Sequence, residues 1–236
     1  DLITNEEKLV SQNVIDYLKE NLPKVECELP LPFTGGAIGY VAYDAIRQFV
    51  SVGEELTDEL NMPDYHFMMY HTIIIYEHRT EKAHILTINL DDSTEKELEE
   101  RLQQISNQLD QQITIPDPEI NQVTFKAQIS KEKFIKNVKR AKSFIENKEA
   151  EQIVLSQRMI AELDGDAFSF YRQLRTANPS PYMFYINFTD YLIIGASPES
   201  LVQTSGNQVV TNPIAGTRPR GNSTAEDEGL EKELLT

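Results

Sequence analysis

The sequence predicts an α+β fold in which large antiparallel sheets are flanked by helices. Runs rich in aromatic and β-branched residues follow one another across short turns, as in 182–188 and 191–195. Amphipathic helical stretches are inserted between these hairpins rather than after every strand. Because a doubly wound parallel sheet needs a helix after each strand, the pattern favours antiparallel pairing.

The N-terminal region combines helices and a hairpin. Thr4 and Glu7 have the spacing of a capping box, which predicts a helix over 4–20. Three glycines within 35–39 predict a tight turn that enters a strand. The other elements expected in this region are strands over 67–77 and 83–90, with a turn at 79–82, and a helix opened by Thr94 and Glu97.

Residues 111–122, rich in Pro, Asp and Gln, form the clearest linker and separate region 1–115 from region 123–236. We interpret region 1–115 as a regulatory or scaffold region. The elements predicted in the second region are helices over 130–147, 168–176 and from about 223 onward, and strands over 152–161, 182–188, 191–195, 201–204 and 208–212.

The composition of the chain limits which kinds of partner and which cellular compartment are expected. A net charge of −16 argues against nucleic acid or an anionic membrane surface, since phosphate binding needs clustered Lys and Arg. No apolar run approaches the roughly 18 residues that span a bilayer. The single cysteine, Cys27, cannot form an internal disulfide, which indicates a reducing, cytoplasmic location. Four histidines within 66–84 lack the spacing of metal ligands, so the metal interpretation is disfavoured.

The stretch 178–221 carries the strongest candidate site. Two prolines at 179 and 181 fix a turn, and Glu199 follows a strand beside Pro198. In 213–221, glycines, a threonine hydroxyl and two arginines suit a carboxylate or a phosphate. From the residues alone, a solvated loop, a structural bend at the prolines and a turn cap at Glu199 remain open alternatives.

Four runs carry a family resemblance: IVLSQR at 153–158, NPSPYMF at 178–184, GASPES at 195–200 and PIAGTRPRG at 213–221. In order and spacing they resemble the chorismate-utilising enzymes, and among them the large subunit of anthranilate synthase. A weaker likeness extends to 35–40 and 60–64. The resemblance implies the same α+β architecture and makes 123–236 an incomplete chorismate-binding region.

The resemblance also implies a reaction and roles for three residues. Such synthases add ammonia to chorismate, expel a hydroxyl and eliminate pyruvate, with Mg²⁺ as cofactor. Gly216 and Thr217 match the positions that hold a substrate carboxylate. Glu199 matches the acid that protonates the leaving hydroxyl, a role that calls for a pKa raised by burial beside a second anion.

Two positions favour anthranilate over the products of related enzymes. Where aminodeoxychorismate synthases carry a lysine, this chain has Ala215, which cannot act as a nucleophile. Where isochorismate synthases place a lysine that activates water, it has Gln152, whose amide does not titrate. Ammonia supplied by a glutamine amidotransferase subunit is therefore the expected nucleophile.

Resemblance further implies feedback inhibition by L-tryptophan. The residues expected to bind it are Asn178, Pro181, Tyr182, Met183 and Gly195. An amino acid bound there could bias the hairpin that leads to Glu199. An amino-acid-sensing or partner-docking module without catalysis is the alternative from a different class.

The chain also departs from the family pattern. Residues 148–151 replace a usual Gly-Asp, and the start lacks a Leu-Leu-Glu-Ser segment. The chain ends at Thr236, before the positions where the family places its metal-binding glutamates and a catalytic histidine. We therefore expect a fragment that is inactive alone, with no metal ligands in this chain and the Mg²⁺ ligands beyond Thr236.

Overall fold

The computed structural model describes residues 10–22, 31–53, 57–90, 93–116, 123–214 and 216–235. The chain divides into two compact units, Asp1–Thr114 and Ile115–Thr236. Both units combine helices with antiparallel strand pairs, which confirms the α+β class. The sheets are smaller than predicted, because every sheet among the described residues has two strands.

The first helix, α1, covers Val14–Asn21. Its N-cap is Asn13, whose side-chain oxygen accepts a hydrogen bond from the backbone N–H of Ile15 at 2.8 Å. The prediction of one helix over 4–20 is wrong in the described part, since residues 10–13 are not helical and Asn13 caps the helix instead. The capping box proposed for Thr4 and Glu7 lies outside the described residues.

Strands β1 (Gly36–Val41) and β2 (Tyr65–Tyr70) pair antiparallel, with Gly36 opposite Tyr70. The predicted turn before β1 is present, because Gly35 and Gly36 have φ of 121° and 124°. At Gly39 an added Cβ would lie 1.9 Å from the carbonyl oxygen of His66, so the two backbones approach too closely for a side chain. A 3₁₀ helix over Tyr43–Gln48, which the sequence did not predict, follows β1.

A second hairpin joins β3 (Thr72–Glu77) and β4 (Lys82–Thr87). The prediction of one strand over 67–77 is wrong, because the run breaks at His71 and its two halves pair with different strands. The carbonyl of His71 accepts a hydrogen bond from the N–H of Ile88 at 2.6 Å. Helix α2 (Glu95–Leu109) begins with the predicted capping box of Thr94 and Glu97.

The second unit opens with β5 (Lys126–Ala127) and α3 (Lys131–Glu146), which Ser130 caps as predicted. Strand β6 covers only Met159–Ile160 and pairs with β5. The predicted strand over 152–161 is therefore wrong for residues 152–158 and 161. A strand persists only where its backbone finds a partner, and pairing with β5 reaches just two residues.

The remaining predicted elements are present. They are α4 (Ala167–Ala177), β7 (Tyr182–Asn187), β8 (Leu192–Ser197), β9 (Gln203–Ser205), β10 (Gln208–Val210) and α5 (Thr224–Leu234). Strand β9 begins two residues later and β10 ends two residues earlier than predicted. Strands β7 and β8 form one hairpin and β9 and β10 form another, without a ladder between them. In the described part of the chain, no helix is both long and apolar enough to cross a membrane.

Candidate functional site

The proline turn leads into the β7–β8 hairpin, which packs against helix α4. The ring of Tyr185 on β7 lies 5.3 Å from that of Phe168 and 5.8 Å from that of Tyr171, both on α4. Beyond β7, Phe188 is only 5% exposed and its ring lies 5.1 Å from that of Tyr191. Aromatic contacts of this kind add to the stabilisation from burial. The hairpin is therefore fixed by apolar packing.

The residues predicted to bind tryptophan lie at the entrance to this hairpin and on β8. Successive side chains of a strand point to opposite faces, so those of Tyr182 and Met183 lie on opposite faces of the hairpin. Gly195 lies opposite Phe184, and an added Cβ there would lie 2.2 Å from that ring. The aromatic ring thus covers the glycine, on the same face as Tyr182.

The other two predicted tryptophan residues belong to the turn. Asn178 ends α4, and its backbone N–H donates to the carbonyl of Leu174 at 2.9 Å. Pro181 directly precedes β7, and both it and Asn178 are exposed. The structure therefore brings the five residues to one end of the hairpin but divides their side chains between its faces.

Glu199 connects the end of β8 to the loop formed by residues 213–221, which we call the 213–221 loop. Its carboxylate Oε1 accepts a hydrogen bond from the backbone N–H of Ile214 at 3.1 Å. The hydroxyl of Ser197 donates to the carbonyl of Glu199 at 3.1 Å and accepts from its N–H at 3.3 Å, which fixes the turn. The carboxylate therefore does not cap its own turn but reaches a segment fifteen residues further along the chain.

The exposure of Glu199 differs from what its predicted role requires. A proton donor was expected to be buried beside a second anion, yet Glu199 is exposed among the described residues. Its position beside the loop agrees with a shared site, whereas the expected burial is not present.

Gly216 and Thr217 lie in the 213–221 loop, two and three residues after Ile214, and both are exposed. A Cβ added at Gly216 would lie 3.2 Å from a methyl carbon of Leu234 near the end of α5. The carbonyl of Thr217 accepts a hydrogen bond from the neighbouring Arg218 guanidinium at 3.2 Å. Ala215 lies outside the described residues. Glu199 thus contacts, at Ile214, the loop that carries the two predicted carboxylate-binding residues.

Both arginines of the loop are paired with carboxylates of helix α5. Arg218 donates to Glu233 at 2.9 Å, and Arg220 donates to Asp227 at 2.8 Å. The hydrogen bond from Arg218 lowers the pKa of Glu233, and the same pair raises the pKa of Arg218. The guanidinium groups that the sequence suggested for a ligand are therefore engaged by the protein itself.

At its C-terminal end the loop lies directly against the first turns of α5. A Cβ at Gly221 would lie 2.3 Å from the backbone nitrogen of Asp227, so this approach requires glycine. The N–H of Gly221 donates to Asp227 Oδ1 at 2.8 Å. This bond, followed by that from Arg220, holds the pKa of Asp227 below its usual range.

Sequence reasoning missed these acidic partners on α5, and only the start of the helix had a local sequence signal. Ser223 and Glu226 have the spacing of a capping box. Ser223 Oγ accepts from the N–H of Glu226 at 3.3 Å, and the Glu226 carboxylate accepts from the N–H of Asn222 at 2.7 Å. That pattern locates the start of α5, but the contacts of Asp227 and Glu233 carry no local sequence signal.

Across the described ranges there is no group of three or more His, Cys, Asp and Glu side chains that could hold a metal ion. Three of the four histidines have other contacts, among them His78, whose ring lies 5.0 Å from that of Tyr76. The ring of His66 lies 6.4 Å from that of Tyr40. His71 Nδ1 lies 2.9 Å from the hydroxyl of Thr72. The side chains present here do not by themselves fit a metal centre.

Comparisons with known proteins place the chain in a family. The sequence profile of the family described as chorismate binding enzyme matches residues 2–236. Anthranilate synthase component 1 of Lactococcus lactis subsp. lactis (strain IL1403) is 37% identical over 99% of this chain and 52% of the relative. The protein of the same name from Acetivibrio thermocellus is 38% identical over 96% of this chain and 49% of its own length.

A solved structure agrees with these relatives. The crystal structure of anthranilate synthase component I from Streptococcus pneumoniae TIGR4 is similar with a TM-score of 0.85 and 37% identity. The match covers 97% of this chain and 51% of that one. The chain thus spans about half the length of the relatives it matches. With a profile match over nearly every residue, the chain belongs to the family of chorismate binding enzymes.

Proposed function

We propose that this chain contributes an acid and a carboxylate-binding loop to an anthranilate synthase large subunit, which converts chorismate and ammonia to anthranilate and pyruvate. The observation that carries the proposal is the hydrogen bond from the N–H of Ile214 to the carboxylate of Glu199. It joins the two motifs that the reaction needs together. The names of relatives at 37% and 38% identity support the same activity.

In the proposed reaction Glu199 delivers a proton to the hydroxyl that leaves the chorismate ring. Glu199 is exposed in the free chain, and its carboxylate reaches Ile214 of the loop that is proposed to hold the substrate. In this proposal, chorismate bound at the loop has its leaving hydroxyl near Glu199.

Gly216 and Thr217 are proposed to hold a substrate carboxylate. A backbone N–H at Gly216 and the hydroxyl of Thr217 are donors, and hydrogen bonds to a charged acceptor contribute about 1.5–3 kcal/mol each. Both residues are exposed and close in sequence to Ile214, which Glu199 contacts. In this proposal the loop holds the substrate carboxylate, and Glu199, hydrogen-bonded to the loop at Ile214, reaches the leaving hydroxyl.

The nucleophile in this proposal is ammonia from a glutamine amidotransferase subunit. Gln152 lacks the titratable amine that would activate water, and Ala215 lacks any nucleophilic group. The name component 1, which the relatives carry, supports a second component. Isochorismate or aminodeoxychorismate synthesis is the alternative that the identity of the product would reveal.

Mg²⁺ and a cytosolic location also belong to the proposal. The metal polarises substrate carboxylates when bound, and its ligands are proposed to come from outside the described residues. The proton donor and the carboxylate-binding groups proposed here all belong to this chain. The cytosolic location is supported by the single cysteine, because one cysteine cannot form an internal disulfide and disulfides are typical of oxidising compartments.

Calorimetric titration of chorismate into the chain tests the assignment of the loop. We expect binding that Thr217→Ala weakens about tenfold, because a hydroxyl bond to a carboxylate is lost. Thr217→Ser keeps the hydroxyl and serves as the matched control, with an affinity near that of the unmodified chain. Absence of chorismate binding, or equal affinities for all three proteins, contradicts the proposal.

Feedback inhibition by L-tryptophan is proposed at the entrance to the β7–β8 hairpin. Tyr182 is 44% exposed and Phe184 38% exposed on one face, which leaves aromatic surface for a ligand. Titration of L-tryptophan into the chain and its Tyr182→Ala variant tests this site. Binding weakened by the substitution supports it, and unchanged binding refutes it. Tryptophan binding in a chain that does not bind chorismate would favour the sensing module instead.

A further inference from the structure

The 213–221 loop is held at both of its ends. At the N-terminal end, Glu199 accepts the N–H of Ile214 at 3.1 Å. At the C-terminal end, one carboxylate oxygen of Asp227 accepts the N–H of Gly221 and the other accepts the Arg220 guanidinium, both at 2.8 Å. The residues between these two anchor points are exposed wherever the structure describes them. The loop therefore depends on polar contacts rather than on packing for its conformation.

We propose that Asp227 is a positioning residue that fixes the loop carrying Gly216 and Thr217 for the substrate carboxylate. This inference rests on the proposed function, because it assigns Asp227 to the same chorismate-binding loop. Asp227 does not touch the substrate in this assignment. It acts through Arg220 and Gly221, which set the direction in which the loop approaches helix α5.

The geometry gives Asp227 a role that a neighbouring acid cannot fill. Its backbone lies against Gly221, where even one added carbon would be 2.3 Å from a backbone atom. A short carboxylate side chain then reaches both Gly221 and Arg220 without leaving the helix. A glutamate would carry the same charge on a longer side chain, and this close approach leaves it little space.

The other arginine contact of the loop is different in kind. Arg218 pairs with Glu233, in the last turn of α5, through a hydrogen bond between side chains. Asp227 lies near the start of the helix, where the helix dipole favours a negative charge, and it also accepts a backbone N–H. The pKa of Asp227 is lowered, first by that N–H, which agrees with a carboxylate held in its charged form.

The test compares Asp227→Ala, Asp227→Asn and Asp227→Glu with Glu228→Gln as matched control. Glu228 is the next residue of α5, is exposed, and loses the same charge. Two quantities are measured for each variant: the affinity for chorismate, and the rate of amide hydrogen exchange in 213–221 of the free chain. The exchange rate in 182–197 serves as an internal reference.

We expect Asp227→Ala to weaken chorismate binding about three- to tenfold and to accelerate exchange in the loop, since two anchoring hydrogen bonds are lost. Asp227→Asn keeps a neutral acceptor for Gly221 and should lie between Asp227→Ala and the unmodified chain. Asp227→Glu should restore neither the chorismate affinity nor the slow exchange of the loop. Glu228→Gln should match the unmodified chain in both.

Three results would overturn the inference. Equal exchange in Asp227→Ala and Glu228→Gln would show that Asp227 does not hold the loop. Full restoration by Asp227→Glu would show that only a negative charge at the helix start is needed. Faster exchange with unchanged chorismate affinity would show that the anchored loop does not position substrate.

Failure of the proposed function gives a different result. If the unmodified chain does not bind chorismate, that assignment is wrong for this chain, and the role of Asp227 toward substrate falls with it. The exchange rates then decide separately whether Asp227 anchors the loop. The two failures are therefore distinguishable within one set of variants.

Discussion

The β7–β8 hairpin and the 213–221 loop are neighbours in sequence but are stabilised in different ways. The hairpin has a complete six-residue ladder, an aromatic contact with α4 and the nearly buried Phe188 at its end. The loop has no ladder, and apart from half-buried Gly221 its described residues are exposed. Its contacts are hydrogen bonds and ion pairs to Glu199 and α5.

Because of this difference, the two regions should respond to different changes in salt and pH. Apolar packing is nearly independent of salt and of mild acid, whereas exposed ion pairs are screened by salt and need charged carboxylates. The region proposed to bind the inhibitor is thus the rigid one. The region proposed to bind substrate can be loosened by changes that leave the hairpin intact.

The largest effect is expected for Phe188→Ala. Phe188 is 5% exposed, and removing a buried phenylalanine side chain costs about 3–5 kcal/mol of the free energy of unfolding. Urea unfolding followed by tyrosine fluorescence measures it, since the chain has ten tyrosines and no tryptophan. Phe125→Ala is the control, because Phe125 is 55% exposed. Equal losses for both variants would show that the hairpin does not depend on packing at Phe188.

Gly221→Ala is expected to have the next largest effect, and it acts on the loop. The new Cβ would meet the backbone of α5 at 2.3 Å, and backbone atoms cannot rotate away as a side chain can. Overpacking of this kind costs about 1–3 kcal/mol. Hydrogen exchange in 216–235 should accelerate while exchange in 182–197 stays unchanged.

Gly229→Ala in the same helix is the matched control for that substitution. Nothing lies within 4 Å of a Cβ built there, and alanine favours a helix over glycine by about 1 kcal/mol. We therefore expect it to slow exchange in α5. If the two alanine variants behave alike, the close approach of Gly221 to Asp227 is not a constraint on the loop.

The starts of α2, α3 and α5 could be predicted from the sequence because their signals are local. Thr94, Ser130 and Ser223 each accept a hydrogen bond from the backbone N–H three residues further on, so a few neighbouring residues are enough. The start of α1, at Asn13, was missed. Strand pairing was predicted only where a short turn joins the partners. At His71 the chain changes partner from β1 to β4, and nothing in the letters of 67–77 specifies that change.

The candidate site was predictable in part for the same reason. The motifs located Glu199, Gly216 and Thr217, and the structure brings Glu199 to their loop through Ile214. The partners of Arg218 and Arg220 could not be predicted. They depend on how the chain turns at Gly221 to bring α5 back against the loop, which is a feature of the tertiary structure.

A smaller effect, and a gain, is expected at the tip of the hairpin. Thr189 has a φ of 75°, which is unfavourable for a β-branched residue, and its N–H donates to Asn187 Oδ1 at 2.8 Å. Thr189→Gly should stabilise the chain by about 0.5–1 kcal/mol, because glycine adopts this conformation freely at some entropic cost. Thermal unfolding measures the gain. A loss of stability would mean that contacts of the threonine side chain outweigh the backbone strain.

The smallest effect is expected from a change of pH, which should loosen the 213–221 loop but not the β7–β8 hairpin. The folded-state pKa values of Asp227 and Glu233 lie below their ordinary values of 3.8 and 4.5. A group with a lowered pKa contributes its full stabilisation above its ordinary pKa and loses it as the pH falls through the lowered one. Between pH 7 and about 5 we therefore expect constant exchange in 213–221. Below about pH 4.5, exchange corrected for its intrinsic pH dependence should accelerate there but not in 182–197.

The Asp227→Asn variant is the control for this prediction. Its loop should already exchange faster than that of the unmodified chain at pH 7, and it should lose much of the acid response. If loop and hairpin loosen together, the ion pairs to α5 are not what distinguishes the two regions.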